Sequence, residues 1–135
     1  MVEVASPRDY ARSYTFFAPS LEAETDLVVV RSPKSDESFD DVTLDCAGVL
    51  SGWTQVGKYQ YTRVALSRDN FVPQTYPGGT CDTGVHRIWS SGTFGATLWG
   101  WGSAATGMEP STQGFEYGQP LVGPTHAPAN PIEPP

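Results

Sequence analysis

Basic residues are scarce in this chain. Eight Lys and Arg stand against fifteen Asp and Glu, a formal net charge of −7 over 135 residues. The eight are scattered, and phosphate recognition needs clustered cations, so nucleic acid is not expected as a partner. Long apolar runs are missing too. No stretch approaches the roughly 20 residues of a membrane-spanning helix, so direct membrane insertion is not expected. The N-terminus shows no basic segment followed by an apolar one, so no signal peptide is visible. Met1 reads as a start codon ahead of an excised domain. Histidine is limited to His86 and His126, and cysteine to Cys46 and Cys81. These four spread over about eighty residues without the paired ligand spacing of a zinc site.

What is plentiful points one way. Fourteen Gly and twelve Pro argue against a helical bundle and for a turn-rich β protein. A chain of this length forms one domain with a real core. Residues 1–12 form a polar lead. Tyr14 to Ala18 reads as a strand ended by Pro19, and Leu27 to Val30 as a strand buried on both faces. Val42 to Leu44, Leu50 to Gln55 and Tyr59 to Leu66 read as further strands, separated by turns at Asp45–Gly48 and Val56–Lys58. Arg68 to Cys81 reads as a loop. The expectation is an all-β, antiparallel sandwich of jelly-roll or immunoglobulin-like type, with about seven or eight strands across residues 13–118. Residues 119–135 read as a Pro-rich tail or linker.

The stretch Gly84 to Gly102 stands at the centre. It reads as two short strands joined by a turn at Ser91-Gly92. In the second strand Phe94, Ala96 and Leu98 share one face, while Thr97, Trp99 and Trp101 share the other. Glycines at 95, 100 and 102 mark bulges or close backbone approach.

Several residues are candidates for chemistry or binding. Cys46 and Cys81 lie in turn-like contexts and are compatible with one disulfide. His86 has Asp82 and Ser90 nearby in sequence, but residues four apart on a strand stand about 13 Å apart, and no Gly-x-Ser-x-Gly elbow exists. No catalytic residue is expected. Asp36, Glu37, Asp40 and Asp41 are weak calcium candidates, since their spacing does not fit an EF-hand. No other metal or cofactor is expected. Glu116, between Phe115 and Tyr117, is the nearest candidate for a glycosidase carboxylate, and reads instead as an outward strand residue. Trp53, Trp89, Trp99 and Trp101 are the binding candidates, because aromatic anchors serve both sugar-stacking surfaces and protein interfaces. The alternative is that all four belong to the core.

Some of these segments are familiar. Ser13 to Pro19, Val42 to Cys46, Trp53 to Gly57 with Tyr61 to Val64, and Gly84 to His86 with Phe94 to Gly102 occur in an order that resembles the N-terminal domain of the IgGFc-binding protein family, particularly its bacterial members. The resemblance spans roughly residues 13–118. It implies a β-rich, secreted or surface-exposed module within a larger multidomain protein, serving adhesion or protein binding rather than catalysis. It supplies no ligand residues. Two readings follow: a non-catalytic extracellular or cell-surface adhesion and protein-binding module, or a carbohydrate-binding sandwich supported by calcium. The partner would be a protein or glycan at a cell surface or matrix, together with flanking domains of a longer chain.

Overall fold

The computed structural model describes residues 7–20, 24–101 and 116–122. Among the described residues, a single 3-10 turn at Pro7–Asp9 leads into ten strands. They are β1 (Ala11–Ala18), β2 (Glu24–Arg31), β3 (Val42–Leu44), β4 (Gly48–Val49), β5 (Thr54–Val56), β6 (Tyr59–Arg68), β7 (Val72–Tyr76), β8 (Gly79–Cys81), β9 (Gly84–Trp101) and β10 (Glu116–Pro120). All pairings are antiparallel. The order is β4-β3-β9-β2-β6-β7-β8, with β1 and β10 also on β9, and β5 on β6. The all-β sandwich-like class is therefore as expected.

The central stretch differs from the hairpin expected of it. Gly84–Trp101 is one strand of 18 residues. Its first half pairs with β1 and β3, and its second half with β2 and β10. Between the pairs Ser13↔Trp89 and Ala11↔Phe94, β9 advances five positions (89 to 94) while β1 advances two (11 to 13). Ser90 to Thr93 is thus an irregularity that bends the strand without reversing it. A tight two-residue hairpin turn needs positive φ, and Gly92 does not adopt it.

The bend folds the two ends of β9 around one core. Even-numbered β9 residues face inward on both sides of it: Ile88, Phe94, Ala96 and Leu98 are all buried. They meet Tyr14 and Phe16 from β1, Val42 and Leu44 from β3, Leu27 and Val29 from β2, and Val64 and Leu66 from β6. Each of the Val, Leu, Ile and Phe side chains among them contributes roughly 1.5–3 kcal/mol through burial. Tyr14 fastens the bend. Its hydroxyl donates to the Phe94 carbonyl (2.7 Å) and accepts from the Ala11 N–H (3.0 Å), and its ring meets Phe94 edge-on at 5.1 Å.

The 68–81 segment, expected as a loop, holds the β7–β8 hairpin, with its turn at Pro77-Gly78. Pro73 and the surrounding Asn and Gly hid it, since proline is confined to edge positions in sheets. Tyr76 reaches back to β6, where its hydroxyl bonds both the N–H and the C=O of Ala65 (3.0 and 2.7 Å). Cys46 and Cys81 form a disulfide between the β3–β4 turn and β8. Leu121 follows β10 and donates its N–H to the Ala96 carbonyl. Beyond residue 122 the Pro-rich tail and His126 lie outside the described residues.

Candidate binding surface

The tryptophans divide by environment. Trp53 packs against the core and donates its indole N–H to the Leu50 carbonyl (3.2 Å). One ring face is taken: the Arg31 guanidinium lies 3.9 Å from its centroid. Arg31 is fixed in turn by Gln60 Oε1, which accepts from Nε and Nη2, and by the Asp40 carbonyl. Burial pulls this guanidinium below its ordinary pKa, with Asp41 and Asp40 opposing. Nothing in the sequence marked Arg31, which simply ends the valine run of β2.

Trp99 is half-buried on the face of β9 opposite Phe94, Ala96 and Leu98. With Tyr10, Val28, Val30 and Thr97 it lines a shallow depression of about 120 Å³. Gly95 forms its floor, because the Tyr10 ring lies directly over it. The side chain of Trp101 lies outside the described residues, although its backbone pairs with Glu24 and Glu116.

Trp89 is 38% exposed and belongs to a larger outward face. Cross-strand partners share a face, so Val49, Thr43, Trp89 and Ser13 form one row across β4, β3, β9 and β1. The next rows toward the start of β9 are Arg87 with Thr15, then Val85 with Phe17. Phe17 is 64% exposed, Val85 69% and Val49 58%. The Arg87 guanidinium stands 5.5 Å from the Trp89 ring. Phe17 also borders an open groove of about 420 Å³ that reaches Leu121 and the exposed Val122. Among the described residues β1 pairs with β9 alone, which leaves its other edge open.

Phe17, Val85 and Val49 were not singled out from the sequence. The signal was present in Phe16-Phe17. Adjacent strand residues face opposite sides, so if one phenylalanine enters the core the other must leave it. Phe16 is buried and Phe17 is exposed.

The remaining candidates are placed as follows. Asp36 accepts from the Ser38 N–H and hydroxyl, which pull its carboxyl below the usual range. Glu37 sits at φ 70°, Lys34 contacts Asp40 at 3.1 Å, and Asp41 is exposed. His86 points inward beside Phe16. Its Nδ1 lies 2.9 Å from Asp45 Oδ1 and its Nε2 lies 2.6 Å from the Asp82 carbonyl. The Ser90 hydroxyl accepts from the Gly92 N–H (3.1 Å). Glu116 pairs through its backbone with Trp101, and its side chain lies outside the described residues.

Residues 1–100 match the family described as IgGFc binding protein. The chain belongs to that family. The match covers β1 to the bend of β9 and nearly all of its second half, and so includes the Phe17–Val85–Trp89 face. No curated protein and no solved structure gives a match. Among the described residues, no helix is long and apolar enough to cross a membrane.

Proposed function

We propose that this member of the IgGFc-binding family is a non-catalytic, extracellular or cell-surface module for adhesion and protein binding, set within a larger chain. The supporting observation is the outward face of β4, β3, β9 and β1. It displays Val49, Trp89, Val85 and Phe17 to solvent, beside the edge of β1 that no described strand pairs. Soluble proteins rarely leave large apolar side chains adjacent on one sheet face without a partner. Trp89 with Arg87 supplies the residue types that dominate interface energetics. That edge of β1, unpaired among the described residues, offers backbone donors and acceptors that a partner strand can pair with. The Cys46–Cys81 disulfide suits an oxidising, extracellular setting.

A second reading rests on Trp99. Tyr10 and Trp99 flank the Gly95 floor of a small depression, an arrangement on which a sugar ring can stack. That carbohydrate-binding reading is kept as the alternative.

One experiment separates them. The chain is immobilised and probed with immunoglobulin Fc, a panel of extracellular matrix proteins and a glycan array. Phe17→Ser, Val85→Ser and Trp99→Ala are run beside it. Protein binding that weakens tenfold or more in the Phe17 and Val85 variants supports the first reading. Binding to glycans that depends on Trp99 replaces it with the second. Protein binding indifferent to Phe17 and Val85 removes the assigned face.

A further inference from the structure

The outward face of β9 and β1 carries charge of one sign. Arg87 stands on it, its guanidinium 5.5 Å from the centre of the Trp89 ring. Arg12 stands at the bend end of β1, where its Nε donates to the Ser91 carbonyl (3.0 Å). Both are exposed, and neither forms an ion pair among the described residues. The rows Val85–Phe17, Arg87–Thr15 and Trp89–Ser13 contain no carboxylate. Asp45 turns its oxygens to other groups. Its Oδ2 accepts from the Arg87 backbone N–H, and its Oδ1 lies 2.9 Å from His86 Nδ1. The chain as a whole has fifteen acidic residues against eight basic ones. A face with two arginines, exposed apolar side chains and no acid therefore departs from the rest of the chain, and it complements an acidic, apolar partner.

β1 is fit to take a further strand. Among the described residues it pairs with β9 alone. Edge strands are usually guarded against pairing with another chain by charge, proline or a bulge. In β1 those devices sit at the ends: Arg12 and the register irregularity at one, Pro19 just past the other. Ser13 to Ala18, the six residues between them, carry none, and six residues make a usual strand. A groove of about 420 Å³ borders this stretch, lined by Thr15, Phe16 and Phe17 from β1 and by Pro120, Leu121 and Val122.

We infer that the partner of this face is an extended segment of another protein, which adds to β1 as a strand and carries an apolar residue and a carboxylate two positions apart. The inference rests on the protein-binding reading above and names the partner's chemistry. Cross-strand neighbours share a face. The residue opposite Phe17 extends the Val85–Phe17 row and meets apolar side chains. The residue opposite Thr15 extends the Arg87–Thr15 row. It stands two strand spacings, about 9.6 Å, from Arg87, with the short Thr15 between. A glutamate there and the Arg87 side chain span that gap together. Backbone pairing along β1 supplies the attachment, and these two side chains supply the selection. A second copy of this chain fits the face less well. Two β1 strands paired about a two-fold axis set the same residues against each other. β1 contains no carboxylate, so Arg87 would stay unpaired.

The test uses the full chain with its disulfide intact and the acetylated peptide Ser-Thr-Val-Leu-Val-Glu-Val-Thr-Ser, in which Leu and Glu share one face. A second peptide has Lys in place of Glu. The Glu peptide should bind, and amide hydrogen exchange within Ser13 to Ala18 should slow. The Lys peptide should bind about three- to tenfold more weakly, as expected for reversing one exposed charge. Arg87→Glu should invert the preference between the two peptides, and Phe17→Ser should weaken both alike. Circular dichroism checks that the variants fold. Should Arg87→Glu not fold, Arg87→Gln replaces it and should bind the two peptides equally. The inference is overturned if neither peptide binds up to about 1 mM, if the preference ignores the change at Arg87, or if exchange slows only outside residues 13–18. A dimer of the free chain that Phe17→Ser dissolves would also overturn it, by giving the face to a second copy. Whole-protein binding that still depends on Phe17 and Val85 while the peptides fail would sink this inference alone and leave the protein-binding reading standing. Loss of that dependence would remove both.

Discussion

The ring of Tyr10 rests on the backbone of Gly95 so closely that a Cβ there would stand 2.2 Å from Cε1. Position 95 has no room for a side chain because an aromatic ring fills that space. Gly95→Ala should therefore cost about 1–3 kcal/mol through overpacking. Tyr10→Ala removes the obstacle, so the double variant should be no less stable than Tyr10→Ala alone. Urea denaturation of the four proteins in the cycle measures the coupling; simple additivity would show that the ring moves aside freely.

Asp26 makes stability depend on pH. It is 1% exposed, and Arg63 Nε donates to Oδ2 while Oδ1 has no hydrogen-bond partner among the described residues. Burial pushes its carboxyl above the ordinary value of 3.8, with the Arg63 hydrogen bond pulling the other way. A carboxyl with a raised folded pKa binds its proton more tightly when folded. Its contribution is therefore fully present below the unfolded value and is lost as pH rises through the folded one. Stability should fall with rising pH across that window. Asp26→Asn should remove this slope and be at least as stable as the parent at neutral pH. Unfolding free energies from about pH 3 to about pH 7 decide the matter; an unchanged slope in the variant would assign it to another group.

The β6–β7 turn holds three consecutive non-glycine residues at positive φ: Asp69 (48°), Asn70 (70°) and Phe71 (69°). The left-handed region costs an ordinary residue roughly 1–2 kcal/mol, and Asn and Asp tolerate it better than an aromatic does. Phe71→Gly should accordingly be more stable than Phe71→Ala by about 1 kcal/mol. The shift in denaturation midpoint at constant slope reads this out. Equal stability of the two would mean the turn relaxes without strain.

Loss of the disulfide should lower stability substantially. It closes a loop with a sequence separation of 35 residues. Chain-entropy reasoning gives about 4 kcal/mol for such a loop. Cys46→Ser combined with Cys81→Ser should lose an amount of that order in urea titrations. A loss below about 1 kcal/mol would mean the tight packing of Gly78 on Ala47 and Gly48 already holds the two turns together.

Much of the fold was legible in the residues. Alternation placed Phe94, Ala96 and Leu98 on one face of a strand and Trp99 on the other, and those three are buried while Trp99 is not fully so. The alternation of β6 came out at nearly its observed extent, whereas the Leu27–Val30 run covers only half of the 8-residue β2, and its Val28 and Val30 are half-buried rather than enclosed on both faces. The hairpin at Ser91-Gly92 did not, because glycine marks bends and turns alike, and only pairing partners distant in sequence decide between them. The β7–β8 hairpin was hidden by Pro73 and a Gly-rich turn. Of the tryptophans singled out, Trp53 is covered by Arg31 and Trp89 shares its face with Phe17 and Val85, residues that no composition signal distinguished.

Local chemistry settled what kind of object this is. Apolar and β-branched residues repeating every second position, broken by glycine and proline, admit sheets and little else, since a strand's two faces are set by backbone pleat alone. Contacts between remote segments settled the rest. Whether β9 turns back or runs on, which phenylalanine is left in water, and that His86 meets Asp45 all depend on pairings across 40 or more positions. Such pairings follow from how the whole core packs, and no neighbourhood of the chain encodes them by itself.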